Sequence, residues 1–527
     1  MNANDKDQPE LIRSLLKPDV YEHPVTDIEL IETHISWVIL TGAYAYKIKK
    51  PIDLGFLDFS TLEKRLFCCN EELRLNSRLA AAIYLEVVAI SGTPEKPALQ
   101  GAGTAIEYAI KMVQFPQQAQ LDNMLANGEL EKYHMDAIAE LVAGFHTSTD
   151  VAADDSYFGD PEHVYQPVAE NFTQIRQHLH STKYDEQLDA LEGWSKETFS
   201  SLKPVFEQRK QEGCIRECHG DMHLRNLVWF NGEPLAFDCL EFNPALRWID
   251  TLSEVAFLVM DLQDRNEAEL AQRFLNAYLE HCGDYQGMHV FHFYLAYRAL
   301  VRAKVDAIRA GQPGIADVDK HEAEEGFHAY LKLARSYTRL SKPRLIITRG
   351  MSASGKSTLT QPLLEFMGAI RIRSDVERKR LFGIPAGTGS AAGIDKGIYS
   401  AEAGIKTYEK LLQLANALLE AGITVIVDAA FLKYEQRRPF RELALNKRMP
   451  FIILEFSASA ETLRRRIKAR THDVSDADLS VLEHQLATAE PVHESELTNR
   501  IEIDTEKTFD TADLRDQIQK LSDKQGA

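Results

Sequence analysis

The chain has 527 residues, more than the ~100–200 of one ordinary domain, and 44% of them are hydrophobic, enough to fill two or three cores. Sixty Lys and Arg against 79 Asp and Glu leave a net charge of -19, which repels polyphosphate backbones and argues against a nucleic-acid partner. The stretch Met1 to Glu10 is polar and lacks the apolar core of a secretion signal, and no run approaches the ~18 apolar residues of a membrane span, so a soluble, cytoplasmic protein with no membrane partner is expected.

Cys68, Cys69, Cys214, Cys218, Cys239 and Cys282 form no C-x-x-C pair, and a chain this long needs no disulfide staples, so reduced thiols are expected. Cys214 and Cys218 stand near His219, but no second ligand pair follows at zinc spacing.

In chain order, Ser36–Leu40 and Tyr44–Lys49 alternate with period two around a Thr41-Gly42 turn, as paired strands do, and this puts Lys47 and Lys49 on one face. Leu62–Leu79 is helical in pattern, with Glu72 on the side of Leu75 and Leu79 and Glu71 one position round. An inward Glu beside an inward Lys is the pair that holding a nucleotide requires. Glu107–Phe115 reads as a strand, and from Leu121 through His146 the pattern is helical, continuing through much of the region to Arg209. A strand-rich lobe is followed by a helical one.

The next stretch, His219-Gly220-Asp221-Met222-His223-Leu224-Arg225-Asn226, leads into Leu227–Phe230, Asn231-Gly232 and Leu235–Asp238. Asn-Gly between apolar runs predicts a hairpin. Folding it about Asn231-Gly232 brings Asn226 and Asp238 side by side at the open end, a two-oxygen site for Mg²⁺. Asp221, five residues before Asn226, then serves as the acid-base or orienting group for an attacking hydroxyl.

The H-G-D-x-H-x-x-N string with its hairpin Asp resembles the aminoglycoside phosphotransferase and choline kinase group, relatives of protein kinases, over residues 25–335. The resemblance implies a bilobal kinase-like fold, Asp221 as catalytic Asp, Asn226 and Asp238 as Mg²⁺ ligands, Lys47 or Lys49 as the phosphate-contacting lysine, and Glu71 or Glu72 as its partner. It also implies that Asp250 supports the catalytic loop. Two features depart from the family pattern: Gly42 alone marks the nucleotide loop, and Phe237-Asp238-Cys239 has no glycine after the Asp.

Helical patterns continue through Ala296–Gly311 and Val318–Leu340 until Ser341-Lys342-Pro343 breaks the chain, which sets expected boundaries of 1–24 for an extension, 25–340 for the kinase-like part and 341–527 for a second part. There, Leu345-Ile346-Ile347 leads into Gly350-Met351-Ser352-Ala353-Ser354-Gly355-Lys356-Ser357, and Thr358 opens an amphipathic stretch. This is the spacing of a phosphate-binding loop: glycines let backbone N–H groups curl around phosphate, the helix aims its N-terminus at it, Lys356 adds charge and Ser357 offers Mg²⁺ a hydroxyl. ATP is the expected ligand.

Strands at Ala369–Ile372, Thr424–Val427, Phe451–Leu454 and Arg500–Ile503, with helical segments between, predict a parallel sheet covered on both faces. Ligands collect at the carboxyl ends of such strands, so Asp428 is expected to support Mg²⁺ and Asp375 to orient or deprotonate an acceptor hydroxyl. In the basic run Leu463–Arg470, Arg466 and Arg470 share a helix face ahead of the acidic stretch Asp473–Asp478, placed to neutralise charge on a transferred phosphoryl group.

Residues 343–510 resemble the small P-loop kinases that include zeta-toxin-like, polynucleotide-kinase-like and gluconate-kinase-like proteins, and the whole resembles bacterial two-domain aminoglycoside phosphotransferase-like/ATP-binding proteins. The expected activity is ATP- and Mg²⁺-dependent phosphoryl transfer to a small-molecule hydroxyl by tandem modules. The alternatives are a nucleotide-responsive regulator with one non-catalytic module, and an ATPase or nucleic-acid end kinase that binds through Leu463–Arg470.

Overall fold

The computed structural model describes residues 8–55, 57–179, 182–312, 315–339, 342–384, 400–469 and 478–526. They divide into two compact units, Met1–Val164 with Glu207–Asp261, and Tyr165–Phe206 with Leu262–Ala527. The break at 341–343 lies within the second.

The first unit is built on six antiparallel strands: β1 (Glu29–Glu32), β2 (Ser36–Leu40), β3 (Tyr44–Lys49), β4 (Tyr84–Thr93), β5 (Lys96–Leu99) and β6 (Ala105–Val113), in the order β1-β2-β3-β6-β4-β5. Period two sends alternate residues to opposite faces. On one face Trp37, Ile39, Tyr46 and Ile48 pack with Ile12, Leu15 and Tyr21, so the helix Glu10–Leu15 belongs to this core. On the other face lies the helix Leu62–Ala80, whose Cys69 and Ala80 join Ala45, Ile110 and Met112. Thr61 caps that helix by accepting the Lys64 N–H. Lys47 and Lys49, out of phase with Tyr46 and Ile48, therefore point toward the helix that carries Glu72.

The rest of this unit holds the helices Leu121–Ala126 and Lys132–Ser148, strand β7 (Ile215–Glu217), the hairpin of β8 (Leu227–Phe230) and β9 (Glu233–Ala236), and β10 (Trp248–Asp250), which pairs with β7. The Asn-Gly signal is realised as a two-residue turn, with φ of 53° at Asn231 and 86° at Gly232.

The second unit contains five parallel strands: β11 (Leu345–Arg349), β12 (Ile370–Arg373), β13 (Val425–Asp428), β14 (Phe451–Ser457) and β15 (Arg500–Asp504), in the order β12-β13-β11-β14-β15. Strand β11 is buried along its whole length, as expected for a central parallel strand covered on both faces. Ile346, Ile426, Ile452 and Leu454 pack with Leu363 and Leu364 of the helix Lys356–Met367 and with Leu514 and Ile518 of the helix Thr511–Gly526.

Long helices of the same unit include Ala268–Cys282, Met288–Ala310 and Asp317–Tyr337. The first lies along the open edge of β12. Gln272 Nε2 and Asn276 Nδ2 donate to Ala369 O at 2.8 and 3.0 Å, and Asn276 Oδ1 accepts the Arg371 N–H at 2.8 Å. No helix among the described residues is long and apolar enough to cross a membrane.

Candidate functional site

Two constellations emerge, one in each unit. In the first, Lys47 Nζ donates to Glu72 Oε1 at 2.7 Å and Lys49 Nζ to Glu72 Oε2 at 2.6 Å, so both lysines share one fully buried carboxylate. Lys47 also pairs with Asp238, and Lys49 with Glu241. Glu71 is engaged elsewhere, by Arg74 at 3.0 and 2.9 Å and by Arg247 at 3.5 Å. Burial alone pushes the Glu72 carboxyl up, but Lys47 and Lys49 outweigh it and hold the group down to about 2. Burial opposes the charge on Lys47 as well, and Asp238 and Glu72 reverse that and raise it well above its ordinary value.

The loop 219–226 is fixed from beneath. Glu254 accepts the N–H groups of His219 at 3.1 Å and Gly220 at 2.5 Å, and its Oε1 lies 3.0 Å from His146 Nε2. Asp261 accepts the Leu224 N–H at 2.9 Å. Asp250, the residue assigned by resemblance to loop support, holds Arg209 at 2.6 and 2.7 Å and the Leu252 N–H at 2.9 Å. His219 is kept below its ordinary pKa by burial and directs Nε2 to Phe237 O at 2.9 Å. Sequence reasoning missed Glu241, Glu254 and Asp261, which lie far along the chain from the groups they hold; their only local sign is a charged residue inside an apolar run.

Asn226 Nδ2 donates to Asp221 O and to Asp221 Oδ2, both at 3.0 Å, so its amide oxygen is turned the other way. The hairpin pairs Leu227 with Ala236, and the Phe237 N–H donates to Asn226 O at 3.0 Å. Asn226 therefore stands opposite Phe237, with Asp238 one residue farther on, a correction of one position to the side-by-side reading. The two-residue turn pairs Phe230 with Glu233 and fixes this register. Asp238 has φ 64°, and its side chain is 47% exposed, so a cation can reach it. One carboxylate and one amide oxygen suit a hard divalent ion.

The second constellation surrounds Gly350–Ser357. Gly350 has φ 155°, and a Cβ there would lie 2.6 Å from both Phe456 O and Ser354 Oγ, so the close turn requires glycine. Ala353 and Gly355 are left-handed, at φ 64° and 89°. Lys356 Nζ donates to Gly350 O at 3.0 Å and Met351 O at 2.8 Å, folding back over the loop. The Ser352 N–H is taken by Gln485 Oε1 at 2.8 Å, a residue with no sequence signal. Thr358 lies in the first turn of the helix that follows.

Ser357 Oγ donates to Asp428 Oδ2 at 2.6 Å. Asp428 closes β13 beside β11, and Arg373 of β12 is its register partner, which puts Asp375 just past the carboxyl end of the adjoining strand. Asp375 is 3.5 Å from Arg378. Arg371, also missed, donates to Ser357 O at 3.0 Å and Gln361 Oε1 at 2.7 Å. Arg466 donates to Ala353 O at 3.3 Å and to Thr505 Oγ1 and O at 2.9 and 2.8 Å, against the loop itself. Arg470, and the acidic stretch through residue 477, lie outside the described residues. A hydroxyl and a carboxylate this close at the head of a phosphate loop are an oxygen pair that fits Mg²⁺.

A family model described as an AAA domain matches residues 345–492, the span of this second constellation. The chain is 33% identical over 462 residues to the uncharacterized protein Rv2004c of Mycobacterium tuberculosis, covering 87% of this chain and 90% of that one. Among solved structures, a gluconokinase from Sinorhizobium meliloti 1021 is similar at 21% identity and a TM-score of 0.25, covering 35% of this chain and 95% of its own. A choline/ethanolamine kinase family protein from Mesorhizobium loti is similar at 10% identity and a TM-score of 0.38, covering 62% and 99%.

Proposed function

The chain belongs to the family of Mycobacterium tuberculosis Rv2004c, and from that premise we propose that it is a tandem phosphotransferase whose two modules each take ATP and pass its terminal phosphoryl group to a small-molecule hydroxyl. The observation that carries the reading is the 2.6 Å contact of Ser357 with Asp428 at the head of a complete phosphate loop.

In the P-loop module the backbone of 350–357 cradles the phosphates, and Lys356 exchanges its contacts with Gly350 O and Met351 O for phosphate oxygens. Ser357 and Asp428 would hold Mg²⁺. Asp375 orients or deprotonates the acceptor, and Arg466, with Arg470, offsets charge on the group in transit. In the N-terminal module Lys47, fixed by Glu72, meets the phosphates, Asn226 and Asp238 would hold the cation, and Asp221 receives the acceptor's proton. When bound, Mg²⁺ neutralises charge on the β- and γ-phosphates.

The test is ATP consumption against a pool of metabolites, with phosphorylated products found by mass spectrometry, for wild type, Lys356→Ala and Asp221→Asn. Each substitution is expected to remove a different product. If only Lys356→Ala silences the protein, the N-terminal module is a nucleotide-responsive partner, a reading that the engagement of Asp238 by Lys47 favours. ATP hydrolysis with no acceptor, or salt-dependent binding of oligonucleotides, would point to the ATPase or end-kinase alternative.

A further inference from the structure

Asp238 occupies a left-handed backbone conformation at φ 64°, in a segment with no glycine on either side. For a residue with a Cβ this conformation is costly and persists only where neighbours over-determine it. The neighbours here are specific. The Asp238 N–H donates to Tyr84 Oη at 3.2 Å, and the Cys239 N–H to Asn76 Oδ1 at 2.9 Å. The Leu240 N–H donates to His219 O at 3.2 Å, and Arg247 donates to Glu241 O at 3.1 Å.

Two of these anchors lead back to the phosphate lysine. Asn76 is buried one helical turn beyond Glu72 and donates Nδ2 to Glu72 O at 2.8 Å. Lys49, buried beside Lys47 on β3, ties Glu241 to the second oxygen of Glu72. The result is a row of alternating charge, Asp238, Lys47, Glu72, Lys49, Glu241, in which the first and last members are three residues apart in one loop.

We propose that Lys49, Glu241 and Asn76 are positioning residues for a divalent cation at Asp238: they grip residues 239 and 241, just past the strained residue, and hold its carboxylate toward Lys47. The inference rests on the reading of Asp238 as a cation ligand. It adds that the second lysine is no spare for Lys47 but the anchor of the ligand loop. Without the grip, Asp238 relaxes toward negative φ and its carboxylate leaves Lys47.

The test uses the full chain with Ser357→Ala and Asp428→Asn, which removes the P-loop cation pair, and reads Mn²⁺ binding by the loss of the free-ion electron paramagnetic resonance signal. Urea midpoints run in parallel. The apolar pair Lys49→Met/Glu241→Leu is expected to weaken Mn²⁺ about tenfold, the usual scale for groups that orient a ligand. Asn76→Ser, a milder change that withdraws the acceptor from the buried Cys239 N–H, is expected to weaken it in the same direction with a lowered midpoint but a transition that stays cooperative, and it decides the matter if the apolar pair does not fold. Asp238→Asn removes the ion. If Asp238→Asn removes Mn²⁺ while Asn76→Ser and any folded apolar pair bind it as the parent does, the positioning role is wrong and the site stands. If Asp238→Asn leaves Mn²⁺ bound, the cation site falls and the inference with it.

Discussion

At the scale of single residues the proposed N-terminal site is framed by buried carboxylates, Glu72 and Glu254, whose partners hold their pKa values down. Glu254 is the sharpest case: burial pushes its pKa up, but the hydrogen bond from His146 and the N–H groups of the 219–220 loop overcome this and bring it from 4.5 down to about 2. A depressed carboxyl contributes stability that is fully present above the unfolded value and is lost as pH falls through the folded one. The window here is therefore pH 4.5 to 2, and the contribution at neutral pH is about 3 kcal/mol. Glu254→Gln should flatten the acid limb of a urea-midpoint profile relative to wild type, as well as lower stability at pH 7; parallel profiles would refute the assignment. Little of this was legible beforehand. Lys47, Lys49 and Glu72 could be placed on facing surfaces by period alone, whereas Glu254 meets His219 only through folding of a segment 35 residues away.

At the scale of elements, the patterns that reported themselves were those set by local geometry: the alternation of β2 and β3, the Asn231-Gly232 turn and the strand-loop-helix at Gly350–Ser357. What they could not report is how an edge is closed. Strand β12 is the outermost of the parallel sheet, and its exposed N–H and C=O groups are met by side chains of the helix Ala268–Cys282. Read alone, Gln272 and Asn276 look like ordinary polar positions on an amphipathic helix. Asn276→Ala leaves the Arg371 N–H orphaned at a buried position, a cost of about 1–3 kcal/mol. Hydrogen exchange followed by mass spectrometry should show protection lost at Ile370–Arg373. Asn276→Asp, which keeps an acceptor for Arg371, should retain protection at that amide; equal loss in both variants would mean that the contact does not hold the strand.

At the scale of the whole molecule, the proposed function asks a chain with net charge -19 to take up a polyanion through local positive groups: Lys47 in one unit, and Lys356 with the N-terminus of its helix in the other. Two such centres predict two nucleotides per chain. Calorimetric titration with Mg·AMP-PNP should give a stoichiometry near two for wild type and near one for Lys356→Ala and for Lys47→Ala. Ligand that binds only the folded state adds about 2.7 kcal/mol at a hundredfold excess over Kd, so each substitution should also erase the nucleotide-induced rise of the unit that carries it. If Lys356→Ala alone abolishes all binding, Lys47 serves the fold and not a nucleotide. The shared grip of Lys47 and Lys49 on Glu72 would then be a buried structural network, and Lys47→Met, which breaks the pairs with both Glu72 and Asp238, should lower the urea midpoint.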